Sequence, residues 1–263
     1  MSQNNALDYY GKLGNWSFDE FGIRTESLTL WDLNELINKF ADPDSRILDL
    51  GTGGGEKLLE NYPDCEEILG TDFSPEMVGT ARRNLQKSGR KNISFKVMDN
   101  LHMEVPDDYF DIVVARHTIT DPKQIIRCLK PGGHLLIRGV DKYDCWSLKM
   151  LYGRGQAYED AVPVSIRDYE AVLEAGFSDV ELVPIHEREF FLDADAFRAF
   201  LEKVPVINIC DEDRSLEEDT LRKYIEDNTY GGQIRLLRSY YGLTAVKPVA
   251  KNVCKQCGYL GYT

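Results

Sequence analysis

The chain has 263 residues, 43% of them hydrophobic, enough for one large domain or a domain with a cap. Its 44 acidic against 31 basic side chains give a net charge of −13, which repels polyphosphate and disfavours bulk nucleic-acid binding. No apolar run approaches 18 residues, and Met1–Asn5 has neither a basic start nor an apolar core, so neither a membrane span nor a secretion signal is expected. The six cysteines then read as reduced thiols of a cytoplasmic protein.

Residues 1–27 are polar and aromatic, with Tyr9, Tyr10 and Trp16 among glycines, and too irregular to read as a strand. Leu30, Leu33, Ile37 and Phe40 recur at helical spacing until Ala41-Asp42-Pro43. A strand near 46–50 leads into Gly51-Thr52-Gly53-Gly54-Gly55 and a short helix around 57–61. A second strand ends at Asp72. Ser74-Pro75 starts a helix, a hydroxyl cap followed by a proline whose missing N–H does no harm, with Met77, Ala81 and Leu85 on its buried stripe. The basic residues Arg82, Arg83, Lys87, Arg90 and Lys91 read as its solvated face.

A third strand, Ile93–Val97, ends at Met98-Asp99-Asn100, and a fourth, Phe110–Ala115, at Arg116-His117. Asp121-Pro122 starts a helix carrying Ile125, Ile126 and Leu129. Lys130-Pro131-Gly132-Gly133 turns into a fifth strand, His134–Ile137. Asp141–Asp160 reads as a loop, followed by a helix ended at Ala175-Gly176-Phe177. A sixth strand from Val180 to Phe191, a helix around Phe197, Phe200 and Leu201, an acidic patch Asp211–Asp219 and a strand within Gln233–Val246 complete the chain.

Alternating strands and helices imply an α/β, doubly wound, mostly parallel sheet covered on both faces, whose ligands sit at the carboxyl ends of the strands. Asp49, Asp72, Asp99 and Arg116 lie at or just past such ends, which makes them one candidate site. Asp72 also follows the glycine turn at the spacing of an acid that takes ribose hydroxyls. Glycine permits the positive φ of a tight turn and keeps Cβ atoms away from a ligand. The glycines at 51, 53 and 55 do not match the dinucleotide fingerprint, because Glu56 stands where its third glycine belongs.

Leu48-Asp49-Leu50-Gly51-Thr52-Gly53-Gly54-Gly55 resembles the first motif of class I S-adenosylmethionine-dependent methyltransferases. From Ile47 to Lys142 the resemblance continues motif by motif. It implies S-adenosylmethionine as cofactor, with Asp49, Gly51, Thr52, Gly53 and Gly55 around its methionine part. Gly70–Met77 resembles the ribose segment, with Asp72 on the sugar, Phe73 beside adenine and Met77 closing the motif. Asp99 and Asn100 match the position that holds the adenine amine. The resemblance also implies seven strands in the order 3-2-1-4-5-7-6, the seventh antiparallel. The roughly 40 residues between the last two strands depart from the family's short hairpin. One domain, 1–263, is expected, its core about 30–185 and 231–250, with cap elements 1–29, 141–160 and 186–230 over the cofactor edge.

Methyl transfer is an in-line displacement in which placement matters more than acid–base help. His117, past the fourth strand and titrating near neutrality, is the candidate base. Arg116 suits the cofactor carboxylate or an acidic acceptor, and Tyr9, Tyr10 and Trp16 suit an aromatic wall over the acceptor. No Asp/Asn-Pro-Pro-aromatic motif follows the fourth strand, and no Pro-Cys occurs. Cys254-Lys255-Gln256-Cys257 is half a zinc site, and no metal is assigned to it. The expected function is methyl transfer to a small molecule. The alternatives are an RNA-base or protein acceptor, an NAD-dependent oxidoreductase, and a non-catalytic cofactor-binding subunit.

Overall fold

A computed structural model describes residues 22–204, 206–207, 214–249, 252–253 and 260–261. In chain order the elements are β1 (Arg24–Ser27), α1 (Leu33–Phe40), β2 (Arg46–Leu50), α2 (Glu56–Asn61), β3 (Glu67–Asp72), α3 (Pro75–Ser88), β4 (Ile93–Val97), β5 (Phe110–Arg116) and α4 (Pro122–Cys128). There follow β6 (Leu129–Val140), α5 (Trp146–Tyr152), α6 (Val164–Glu174), β7 (Ser178–Phe191), α7 (Ala194–Lys203), α8 (Arg214–Asn228), β8 (Thr229–Tyr230) and β9 (Gln233–Val246). Two short strands, β10 (Asn252–Val253) and β11 (Leu260–Gly261), pair with each other. No helix among the described residues is long and apolar enough to cross a membrane.

The main sheet runs β1-β7-β9-β6-β5-β2-β3-β4, with β8 added on β9. β4, β3, β2, β5 and β6 are parallel to one another. β9 lies between β6 and β7 and is antiparallel to both. Alternation along the strands feeds two cores. Ile47, Ile112, Val114 and Leu136 pack with Leu33, Ile37, Leu58, Val78 and Ala81 from α1, α2 and α3. Leu48, Val113, Ala115, Leu135 and Ile137 pack on the other face with Ile125 and Val172 from α4 and α6. Side chains of a strand point alternately to opposite faces, so one apolar run supplies both layers.

The sheet has nine strands, not seven. β1 lies in the stretch read as irregular. Its sequence Arg-Thr-Glu-Ser has no apolar alternation, because an edge strand held by main-chain pairing needs none. Arg24 to Ser27 pair with Phe190 to Glu187, and the Arg24 guanidinium lies 4.0 Å from the Phe190 ring centre. The segment 141–160, expected as a loop, contains α5. That helix follows Cys145, in a left-handed conformation at φ 52°, with no side-chain cap, so the usual start signal is missing. Leu129, expected on a helix face, opens β6 instead, because α4 closes at Cys128. Lys130–Gly133 forms an irregularity within β6 opposite Asp111, which takes the Lys130 ammonium at 2.8 Å.

The expected helix starts form: Ser74 Oγ accepts from the Met77 amide and Asp121 from the Lys123 amide, each with a proline next in the chain. The basic stretch is not merely solvated. Arg82 donates to the Phe95 carbonyl, and Arg90 holds the Leu59, Tyr62 and Pro63 carbonyls at and beyond the end of α2.

The long strands β7 and β9 pair from Ser178↔Val246 to Phe191↔Ile234. β6 accompanies β9 only from Tyr240 to Val246, so the other half of the ribbon projects past the carboxyl edge of the sheet. There Phe191, Ile234 and Leu236 join Leu148 of α5, Phe197, Phe200 and Leu201 of α7 and Leu221 and Tyr224 of α8 in a third core. A buried ion network joins this cap to the sheet. Arg238 donates to both carboxylate oxygens of Asp144 and of Glu189, at 2.9–3.0 Å, and the Ser239 amide adds a bond to Asp144.

Candidate active site

The carboxyl ends of β2, β3, β4 and β5 bring the glycine turn, Asp72, Asn100 and Arg116 to one edge. Gly51, Gly53 and Gly55 all have positive φ, at 71°, 57° and 76°. The missing Cβ atoms make room first for the protein's own side chains. A Cβ on Gly51 would stand 2.6 Å from Thr118 Cβ, and one on Gly55 would stand 2.8 Å from the Phe95 ring. The turn is held by the Thr52 amide on the Thr71 carbonyl, at 2.8 Å, and by Asn84 Nδ2 on the Gly54 carbonyl, at 2.9 Å.

Asp72 caps this arrangement. Its Oδ2 accepts from the Gly53 amide at 3.0 Å and its Oδ1 from the Ser74 amide at 2.9 Å. The Phe73 amide acts on it as well, and an ionised carboxylate has about four lone-pair sites, so about one remains for a further donor. Burial raises its pKa, and those amides oppose the rise. Phe73, next to it, is exposed, whereas Met77 is only 2% exposed and offers no open surface to a ligand. Asp49 is also interior: its Oδ1 takes the Tyr62 hydroxyl at 2.6 Å, and burial pushes its pKa up.

Asp99 is turned to its neighbours. It accepts from the Leu101 amide and pairs with His102 Nδ1, both at 2.9 Å, and the His102 contact lowers its pKa. Asn100 faces the turn. Its Nδ2 donates to Thr118 Oγ1 at 3.0 Å and to the Ile119 carbonyl at 3.1 Å, while its buried Oδ1 has no donor. An orphaned acceptor at the position where an adenine amine is expected fits S-adenosylmethionine, as does the acceptor capacity left on Asp72.

Arg116 closes β5, and its Nη2 donates to Asn34 Oδ1 of α1 at 2.8 Å. Trp31 lies against Gly242, where a Cβ would stand 2.3 Å from the indole, and this places residues 27–34 over the edge. Between that segment and Arg116, Arg138 and Glu187 lies a cavity of about 270 Å³. His117 follows in a left-handed conformation at φ 52°, its amide bonded to the Arg138 carbonyl at 2.8 Å. Its ring stacks on Tyr240, centre to centre 5.1 Å and 11° from parallel. The surrounding protein, then Arg138, Arg116 and Arg238, hold its pKa well below the usual imidazole value. The residue keeps an exposed face.

Thus Gly51, Gly53, Asp72, Asn100, Arg116 and His117 converge, Phe73 stands at the rim, and Asp49 and Met77 lie beneath it. Tyr9, Tyr10, Trp16, Cys254 and Cys257 lie outside the described residues. Thr118, Asn84, Arg138 and Tyr240 were not singled out by sequence. Only Thr118 carried a usable sign, as the neighbour of His117.

Residues 41–175 match a family model described as a methyltransferase domain. An arsenite methyltransferase of Halobacterium salinarum is 31% identical over 59% of this chain and 43% of its own length. A protein-L-isoaspartate O-methyltransferase of Myxococcus xanthus is 34% identical over 36% of this chain and 45% of its own. The chain therefore spans less than half the length of either relative. A crystal structure from Bacillus halodurans C-125 superposes with a TM-score of 0.60 at 19% identity, covering 83% of this chain and 99% of that one, which is a likeness of fold. With a family match over half its length, the chain belongs to the class I, Rossmann-like family of methyltransferases, whose cofactor is S-adenosylmethionine.

Proposed function

We propose that this protein transfers a methyl group from S-adenosylmethionine to a small-molecule acceptor. The observation that carries this reading is the convergence at one edge of the glycine turn, the Asp72 carboxylate, the donor-free Asn100 Oδ1 and the open face of His117. We also infer that β4-β3-β2-β5-β6-β9-β7 is the family's 3-2-1-4-5-7-6 core, with β1 and β8 as additions. The third core over this edge suits a compact acceptor. A protein acceptor is the second reading, favoured by the name of the Myxococcus relative.

The cofactor supplies an electrophilic methyl on a sulfonium. The chain's residues must hold it and the acceptor in line, a placement that contributes about 7–11 kcal/mol of barrier reduction. In this reading Asp72 takes the ribose hydroxyls, Asn100 the adenine amine and Arg116 the cofactor carboxylate. His117, kept neutral at physiological pH, accepts the acceptor's proton, which adds about 10²–10⁴-fold.

Incubation with methyl-labelled cofactor and fractionated cell extract tests the reading. Label passes to a small-molecule fraction only with the protein present, and His117→Ala reduces the rate by about 10²–10⁴-fold. If no fraction takes label, the reading fails. Asp72→Ala weakens cofactor binding by about 1–3 kcal/mol, the loss of hydrogen bonds to a charged acceptor. Calorimetry reads this directly, and an unchanged dissociation constant removes Asp72 from the site.

A further inference from the structure

The contact between His117 and Arg138 bears on which acceptor this site takes, and the inference rests on the methyl transfer proposed above. Arg138 Nη1 lies 3.4 Å from His117 Nε2. A guanidinium has only donors, so Nε2 presents its lone pair and the proton of the neutral ring sits on Nδ1. At that length the contact is weaker than an ordinary N–H hydrogen bond and costs little to open. The other end of the guanidinium is anchored, because Nη2 donates to Glu187 at 2.6 Å. The guanidinium carbon sits 4.3 Å from the Tyr240 ring centre, on the ring that also stacks on His117. Tyr240 is held in turn by Arg238, 5.0 Å from its ring and clamped by Asp144 and Glu189. A proton acceptor and a cation therefore stand side by side on one aromatic wall.

The charged groups acting on the imidazole are Arg138, Arg116 and Arg238. Among the described residues no carboxylate pairs with the ring. Glu187, Asp144 and Glu189 are engaged with the guanidiniums.

We propose that the acceptor carries a weakly acidic hydroxyl, a phenol or an enol, and that its oxygen takes the methyl group. The hydroxyl enters between Nε2 and Nη1. Its proton passes to His117 Nε2, and Arg138 Nη1 donates to the oxyanion that remains. The new bond is O–CH₃; the bond broken joins the methyl to sulfur, which keeps the electron pair, and the imidazolium returns its proton to water. An amine acceptor forms no oxyanion, so it would leave the Arg138 Nη1 donor without a partner. A carboxylate, ionised already, would leave His117 without a task.

The experiment uses the full chain, cofactor carrying a ¹³C methyl, and fractionated cell extract, with NMR of the product methyl. The expected result is a protein-dependent oxygen-bound methyl that survives mild alkali. A methyl on nitrogen, sulfur or carbon, or an alkali-labile methyl ester, overturns the inference and leaves methyl transfer standing. Absence of any protein-dependent methyl signal overturns methyl transfer and this inference with it. A second measurement needs no acceptor. Titration of the His117 imidazole by NMR in Arg138→Gln gives a midpoint at higher pH than in the parent, because a neighbouring cation has gone. An unmoved midpoint shows that the guanidinium does not act on the ring and overturns the pairing on which the inference stands.

Discussion

Arg238→Met lowers the free energy of unfolding by about 3–5 kcal/mol, the cost of leaving buried charges without their partner. Arg238 is 6% exposed and is the shared partner of Asp144 and Glu189, which are buried with it. Methionine fills much of the volume but gives neither carboxylate a donor, so the loss is electrostatic rather than a cavity. Burial already raises the Glu189 pKa with Arg238 beside it. In the variant it rises further, so Glu189 protonates in the folded state before the unfolded chain does. The deficit is therefore smallest in acid and grows as pH rises above the ordinary carboxylate range, from the raised Glu189 pKa of the parent to the higher one of the variant. Urea unfolding at acid and neutral pH measures both points. A deficit under 1 kcal/mol at neutral pH would show that the pair is not held as described.

Gly51→Ala is expected to cost stability and cofactor affinity together. At φ 71° an alanine carries about 1–2 kcal/mol of left-handed strain. Its Cβ would also stand 2.6 Å from Thr118 Cβ and 2.7 Å from Thr118 Oγ1. Thr118 must move, and it accepts the bond that aims Asn100. Cofactor binding should thus weaken on the order of tenfold, about 1.4 kcal/mol, beyond the stability loss. Thr118→Gly removes all three clashing atoms, so on that background Gly51→Ala should cost only the backbone strain. If Gly51→Ala costs as much beside Thr118→Gly as it does in the parent, the clash is not what the glycine avoids.

Much of the edge was legible because its signals are local. Glycine is favoured where φ is positive, and an acid at a strand end needs no tertiary knowledge to place. Ser74-Pro75 and Asp121-Pro122 announce their helices by chemistry within three residues. What escaped depends on partners far along the chain. β1 exists because β7 offers it a free edge 160 residues later, and its own side chains say nothing of it. Tyr240 read only as part of a strand; its place between His117 and the arginines comes from the register of β9 against β6. Arg138 lies one residue past the expected end of the fifth strand and acquires meaning only when Arg116 and Arg138 are found opposite each other. Sequence spacing gives the strand or helix that Asp49 and Met77 occupy, but not that both are buried or that the Tyr62 hydroxyl already occupies Asp49 Oδ1.

The β7–β9 ribbon runs unbroken from the floor of the molecule into the wall of its cap, paired residue by residue from Glu181↔Thr244 to Phe191↔Ile234. Such a girder leaves no hinge at which roof and floor swing apart as separate bodies. Cap and sheet therefore draw on one set of hydrogen bonds, and loosening of either is felt along the whole strand pair.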